Sequence, residues 1–289
     1  MAAIDIGSDR VQMLVAHVAR DGIEPLLRAA TITGLADGVE QTGMMDERRV
    51  ELTAMVVAQM AEDAREAGAV RLSVACAEPV RSVVNADELL DRIAQLAGTL
   101  PRVLSELDEA KLSFRGIMSE ALEQPEELIA IEPAIARTVL LGAREGRLWW
   151  STTLPAGLTQ LAERFELEDP PSLDALYEIS TEVERLTIPL AERHPSDCAV
   201  ASGPLSTALS RLDGAARLDA HRTEDLFEVV TAAPAHEICE RAEIASARAA
   251  LLGPVAAVID GVRRAYRLQT VEIVEAGLGE GLLLEAAGV

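Results

Sequence analysis

Two stretches of this chain follow the same order of elements, and that repetition limits the folds open to it. A short apolar run, Ala2 to Ile6, ends at Gly7-Ser8; Val11 to Val18 follows, then Ile23 to Ile32 after a turn at Asp21-Gly22. Short runs rich in Val, Ile and Leu, bounded by Gly, read as strands. A helix is expected from Asp46 to Ala67, with Leu52, Val56 and Met60 at helical spacing and Gly68 as its stop. A strand (Arg71 to Cys76) comes next. The following helix turns Leu89, Leu90, Ile93 and Leu96 inward, and Val103-Leu104 precedes a helix over 108–121. The order then restarts. Leu128 to Ile131, Thr138 to Leu141 and Leu148 to Thr153 read as strands, with helices over 172–193, 204–212, 223–230, 237–252 and 255–266 behind them. A strand at 270–275, a glycine turn and a helix from Gly281 close the chain. Alternating strands and helices of this kind define an α/β class. The repeat places two domains, 1–122 and 123–289, within a length of 289 residues that gives each its own core.

Composition narrows the material of those cores. Aromatic residues make up 2% of the chain, so Leu, Val, Ile and Ala must fill the space between helices and sheets. The formal charge of −22, from 26 basic and 48 acidic residues, works against binding nucleic acid or an anionic membrane. Cys76, Cys198 and Cys239 are scattered and form neither a disulfide framework nor a paired metal motif. No basic stretch followed by an apolar run and a cleavage site opens the chain, so a cytoplasmic location is expected. His236 and Cys239 stand three apart on an expected helix with no further ligand nearby, and His17, His194 and His221 are isolated, so no metal site is expected. Trp149-Trp150 is expected to put one ring on each face of a strand, one in the core and one on a contact surface.

Several short segments, in order along the chain, resemble those of one family. Ala3-Ile4-Asp5-Ile6-Gly7-Ser8 is similar to the first phosphate loop, D-[IL]-G-S-N-S, of the exopolyphosphatase / guanosine pentaphosphate phosphatase (Ppx/GppA) family. Leu35 to Val39 follows its leucine-x-acid-glycine segment, Arg81 and Asn85 fit L-R-x-A-x-N, and Ser105 to Phe114 resembles S-G-x-E-E-A-R-L-x-F. Leu154-Pro155-Ala156-Gly157, Glu163-Arg164-Phe165 and Asp169-Pro170-Pro171-Ser172 resemble its LPxG, ERF and DPP[ST] stretch, and Gly277 to Gly281 its G-L-R-E-G turn. The resemblance implies two actin-like domains of ribonuclease-H type with an interdomain cleft. It also implies hydrolysis of a terminal phosphate from polyphosphate or guanosine pentaphosphate, with Mg²⁺ as the metal if the protein is active; otherwise no cofactor is expected.

The same resemblance marks what has been lost. Such chemistry needs backbone N–H groups around the phosphate, a carboxylate to orient water and a counter-charge for the leaving oxyanion. Glu109 stands at the position of the family's base and Asp5 at that of its first-loop acid, a vestigial catalytic pair. Gly7, Ser8, Arg81, Glu132, Arg137 and Gly203 stand at vestigial phosphate-binding positions. The second loop, L-V-[IV]-D-I-G-G-G-S-T-E-L in the family, reads here Leu128 to Leu140 with every glycine replaced: Pro133 has no N–H, Ile135 is branched, Glu132 replaces the Asp and Val139 the Glu. Asp9-Arg10 replaces Asn-Ser in the first loop, Glu106 replaces a glycine, Ala77-Glu78 replaces Thr-Ser, Gln160 and Gly279 replace arginines, and Ser202-Gly203 keeps one glycine of a G-x-G-G-T loop. Blander readings stand beside these: Asp5 as a turn cap, Glu109 as a helix-head acid, Arg81 paired with Glu78 or Glu106. The expectation is an impaired enzyme kept as a scaffold for a protein partner of unknown identity, with weak binding of polyphosphate or guanosine phosphates and a homodimer left open.

Overall fold

The computed structural model describes residues 1–19, 22–78, 80–121 and 125–289. The chain forms two compact units, Met1–Ser119 with Gly277–Val289, and Glu120–Ala276. The boundary expected at residue 123 lies outside the described residues. The C-terminal segment is the correction to the expected 123–289 domain: it closes the first unit, not the second.

The first unit is built on strands β1 (Ala2–Ile6), β2 (Arg10–Ala19) and β3 (Gly22–Ile32), a short helix α1 (Val39–Thr42), helix α2 (Glu47–Glu66), strand β4 (Leu72–Cys76), helix α3 (Ala86–Ala97), strand β5 (Arg102–Val103) and helix α4 (Glu106–Glu120). The second holds β6 (Glu127–Pro133), β7 (Thr138–Arg144), β8 (Arg147–Leu154), α5 (Leu158–Arg164), α6 (Leu173–Arg193), β9 (Ala199–Ala201), α7 (Pro204–Asp213), β10 (Arg217–Leu218), α8 (Ala220–Ala232), α9 (Ala235–Ala242), α10 (Ser246–Ala249), α11 (Leu252–Ala265) and β11 (Val271–Ile273). Helix α12 (Leu278–Ala287) returns to the first unit, where it packs on β1 and β2.

The two sheets repeat one plan. Sheet order is β3-β2-β1-β4-β5 in the first unit and β8-β7-β6-β9-β11-β10 in the second. In each, three antiparallel strands are followed by two parallel partners. Even an irregularity recurs. Register slips between Val15/Ala16 and Leu27/Pro25 leave Leu26 as an extra residue on β3, and slips between Gly142/Ala143 and Trp150/Leu148 leave Trp149 as one on β8. Both are edge strands, where such bulges discourage pairing with other chains.

Trp150 packs against the core and Trp149 is exposed, as expected, but the bulge corrects the expectation that the two rings take opposite faces. Trp150 lies over Gly142, and Arg144, two residues on along the same face of β7, stands over the Trp149 ring at 5.0 Å. Both rings therefore share one face, Trp150 stacked on His194 and Trp149 63% exposed.

The helices show where periodicity misled. Asp46 caps α2 through the N–H groups of Arg48 and Arg49, but the buried face is Val50, Ala54, Val57, Met60, Ala61 and Ala64, with Leu52 exposed. On α3, Leu89 and Ile93 are buried and Leu96 is exposed. The expected helix over 237–252 is two, because Glu243 takes a left-handed conformation (φ 55°) after α9. Gly253 and Pro254 do not break α11; they sit in its first turn, where Pro needs no intrahelical partner. Among the described residues no single helix is long and apolar enough to cross a membrane.

Candidate functional site

The β1–β2 turn carries the first group of expected residues. Gly7 N–H donates to Arg10 O at 2.9 Å, closing the turn. Ser8 Oγ donates to Glu78 O at 3.0 Å, tying the turn to the residues after β4. Asp5, one pleat before the turn, does not cap it. Its carboxylate meets the Gln12 side chain across the β1–β2 ladder, while Oδ1 is sealed from solvent without a hydrogen-bond partner among the described residues. Burial, reinforced by the negative charge of Glu109, pushes the Asp5 carboxyl up to about 7, against the pull of Gln12 and Arg10. Cys76, buried at the end of β4, is pushed up to about 12 by burial first and by Asp5 second, so its thiol is inert.

Arg81 organises the rest. Its Nη1 donates to Glu109 Oε2 at 2.6 Å and to Leu104 O at 2.9 Å, and its Nε donates to Glu78 Oε1 at 3.2 Å. Glu109 is in the first turn of α4, whose head is capped by Ser105: its Oγ accepts from Asp108 N–H at 3.1 Å and donates to Asp108 Oδ2 at 2.8 Å. The expected Arg81–Glu78 pair is present, but the second partner is Glu109, not Glu106, which stands exposed in that turn. Arg10 lies 3.5 Å from its neighbour Asp9.

The second unit has the matching turn. Ala134 N–H donates to Arg137 O at 3.0 Å, the counterpart of the Gly7–Arg10 bond. The carbonyls of Ala134 and Ile135 accept the first N–H groups of α5, from Leu158 (3.1 Å) and Thr159 (3.2 Å). Thr138 Oγ1, fully buried, donates to Ala156 O at 2.6 Å, and a methyl group on Gly157 would fall 2.4 Å from Ala136 O. The Leu154–Gly157 motif thus serves to clamp this turn. Glu132 is partly buried near the end of β6, and Arg137 directly precedes β7. Gly203, the N-cap of α7, keeps a left-handed φ of 99° with open space where a side chain would start. Beside it, the hydroxyls of Ser202 and Ser206 are buried without a hydrogen-bond partner among the described residues.

Other motif residues prove architectural. Asn85 exchanges hydrogen bonds with the backbone of Met45, Asp169 accepts the Ala235 N–H at the head of α9, and Ser172 caps α6. His236 and Cys239 share one helix and gather no further ligand: no group of three His, Cys, Asp or Glu among the described residues could hold a metal ion. A magnesium ion does not fit the residues present in the first turn, since Asp5 offers one sealed oxygen and Glu109 is held by an arginine.

Residues 14–288 match the profile of the Ppx/GppA phosphatase family. The chain therefore belongs to that family. It is 23% identical over 299 aligned positions to exopolyphosphatase 1 of Mycobacterium leprae, covering 98% of this chain and 88% of that protein. In fold it superposes on an exopolyphosphatase from Cytophaga hutchinsonii with a TM-score of 0.84, 19% identity and coverage of 100% and 98%. It also matches a ROK family glucokinase from Streptomyces griseus at a TM-score of 0.51, with 13% identity and coverage of 100% and 98%. Both units are actin-like, of ribonuclease-H type.

Proposed function

We propose that this protein is a catalytically impaired Ppx/GppA member that works in the cytoplasm as a binding or regulatory scaffold for a protein partner. One observation carries the reading: β6 ends in Pro133 and the turn after it runs Ala134-Ile135-Ala136-Arg137, with no glycine, the carbonyls of Ala134 and Ile135 being fastened to the head of α5. A phosphate-binding turn needs backbone N–H groups that approach closely. Pro133 has none, and the Ile135 branch stands where the approach must occur. Val139 stands in place of the family's acid on β7, and Arg81 pairs with Glu109. Each missing donor costs on the order of 10²–10³ in rate. Phosphate release from polyphosphate and guanosine pentaphosphate, with Mg²⁺ or Mn²⁺, is expected at least about 10³-fold below a competent relative. Turnover near 1 s⁻¹, the low end of ordinary enzymes, that is abolished by Glu109→Gln would sink the reading and leave a low-activity phosphohydrolase using Glu109 and Asp5.

A second reading, a non-hydrolysing binder of polyphosphate or guanosine phosphates, is favoured by the head of α7. A helix N-terminus with an open glycine and two buried, unpartnered hydroxyls suits an anion. Calorimetric titration with guanosine tetraphosphate separates the two: micromolar affinity lost in Gly203→Val supports the binder, and no heat supports the scaffold.

A further inference from the structure

The chain leaves the first unit after Ser119 and returns to it at Gly277. The residues at these two crossings are in contact. One carboxylate oxygen of Glu120 accepts the N–H of Ala276 at 2.9 Å and that of Glu275 at 3.2 Å. One helical turn earlier, a methyl group on Gly116 would fall 1.8 Å from Gly277 O. One turn later on α12, a methyl group on Gly281 would fall 1.9 Å from Leu112 O. Leu112 and Gly116 are one turn apart on α4, as Gly277 and Gly281 are along the returning segment, so the two backbones meet along a stripe. Glu280 fixes the returning end a second time. Its Oε2 accepts the Gly277 N–H at 2.8 Å, and its Oε1 lies 2.8 Å from Arg28 on β3.

We propose that Glu120 is a latch that joins the outgoing and returning crossings into a single joint. Two adjacent backbone N–H groups aimed at one oxygen form charge-assisted bonds that an alanine cannot make and a neutral amide makes more weakly. Gly116, Gly277 and Gly281 let α12 approach α4 closely, while the Glu120 carboxylate ties the backbone of Glu275 and Ala276 to the outgoing chain. The inference concerns architecture and stands whether or not the chain hydrolyses any substrate.

Hydrogen exchange in the full-length chain tests it. In Glu120→Ala, exchange over residues 270–277 is expected to rise at least tenfold, and in Glu120→Gln at least threefold, with residues 281–287 of α12 as protected as in the parent. Unchanged exchange over 270–277 overturns the latch. So does an equal rise across α12, which would make Glu120 an ordinary contributor to the stability of the whole. Should Glu120→Ala fail to fold, Glu120→Gln decides by the same comparison.

Discussion

The two turns at the ends of β1 and β6 share one backbone plan and differ in the side chains laid on it. Each follows an acid, Asp5 or Glu132, and each is closed by an N–H bond to the carbonyl three residues on, Gly7 to Arg10 and Ala134 to Arg137. Each gives its other carbonyls to the segment after the third strand: Ser8 and Asp9 to 33–36, Ala134 and Ile135 to 158–159. The backbone plan is therefore common to both, because it is held by hydrogen bonds within each unit. The side chains differ. The first turn carries Gly7, Ser8 and a buried acid near Glu109, whereas the second carries Ala134, Ile135 and Ala136 behind Pro133 and is braced by Gly157. Folding and phosphate contact make demands on different atoms of one turn, the first on its carbonyls and the second on its N–H groups and the space in front of them.

Substitutions at the bracing glycines should separate the turns most. Gly157 has an ordinary φ of −68°, so its need for glycine is purely steric. Gly157→Ala forces a methyl group to 2.4 Å from a carbonyl oxygen and is expected to cost about 1–3 kcal/mol or somewhat more. A next, smaller effect comes from Asp5. The native carboxyl keeps its proton up to about pH 7, whereas the unfolded chain releases it near 3.8. The folded state thus holds more protons across that window, and the stability attached to Asp5 is lost as pH rises through it. Asp5→Asn should raise the melting temperature at pH 8, by roughly 2–4 °C per kcal/mol gained, with the gain vanishing towards pH 4. A gain that is independent of pH would refute the buried-proton account. Smaller still is Gly7→Ala: its methyl group would meet Arg10 O at 3.3 Å, which costs roughly 1 kcal/mol or less. Chemical denaturation of the three variants measures this order, and a Gly7 cost equal to that of Gly157 would erase the contrast between the turns.

Much of this was legible in the residues. The succession of strands and helices and its doubling follow from local patterns, and the absence of glycine from the second loop stands out only against the motif of the family that the chain resembles. Three features were not. The return of α12 to the first unit rests on Gly116, Gly277 and Gly281 as backbone contacts, and a glycine announces a close approach without naming what approaches. The inward face of α2 was rotated because Ala54, Ala61 and Ala64 do the packing while the larger Leu52 lies outside. Small residues carry little weight in a hydrophobic pattern although they permit the closest contact. The strands at 199–201 and 217–218 are too short for periodicity to register. At the site, Glu109 and Arg81 were both singled out, but their pairing spans 28 residues and only the fold could bring it about.

The smallest effect is expected at the arginines that close the two turns, and it bears most directly on whether either turn still receives a ligand. Arg10 lies against Asp9, with side-chain exposures of 19% and 21%. If phosphate still seats at these turns, Arg10 and Arg137 are the counter-charges nearest to hand, and removing either must weaken binding. If the turns are closed, as the fastened carbonyls and the acids Asp9, Glu78 and Glu132 suggest, the arginines serve the protein's own carboxylates. Polyphosphate and guanosine tetraphosphate should then bind more weakly than about 1 mM, roughly −4 kcal/mol, at physiological salt. Screening over about 8 Å there removes the far field of the −22 charge and leaves only local groups to decide. Arg10→Ala and Arg137→Ala should leave that weak affinity unchanged within about twofold, some 0.4 kcal/mol. A micromolar dissociation constant that either substitution weakens tenfold would mean that the turn concerned still accepts phosphate, and the comparison between the two turns would then be one of affinity rather than of presence and loss.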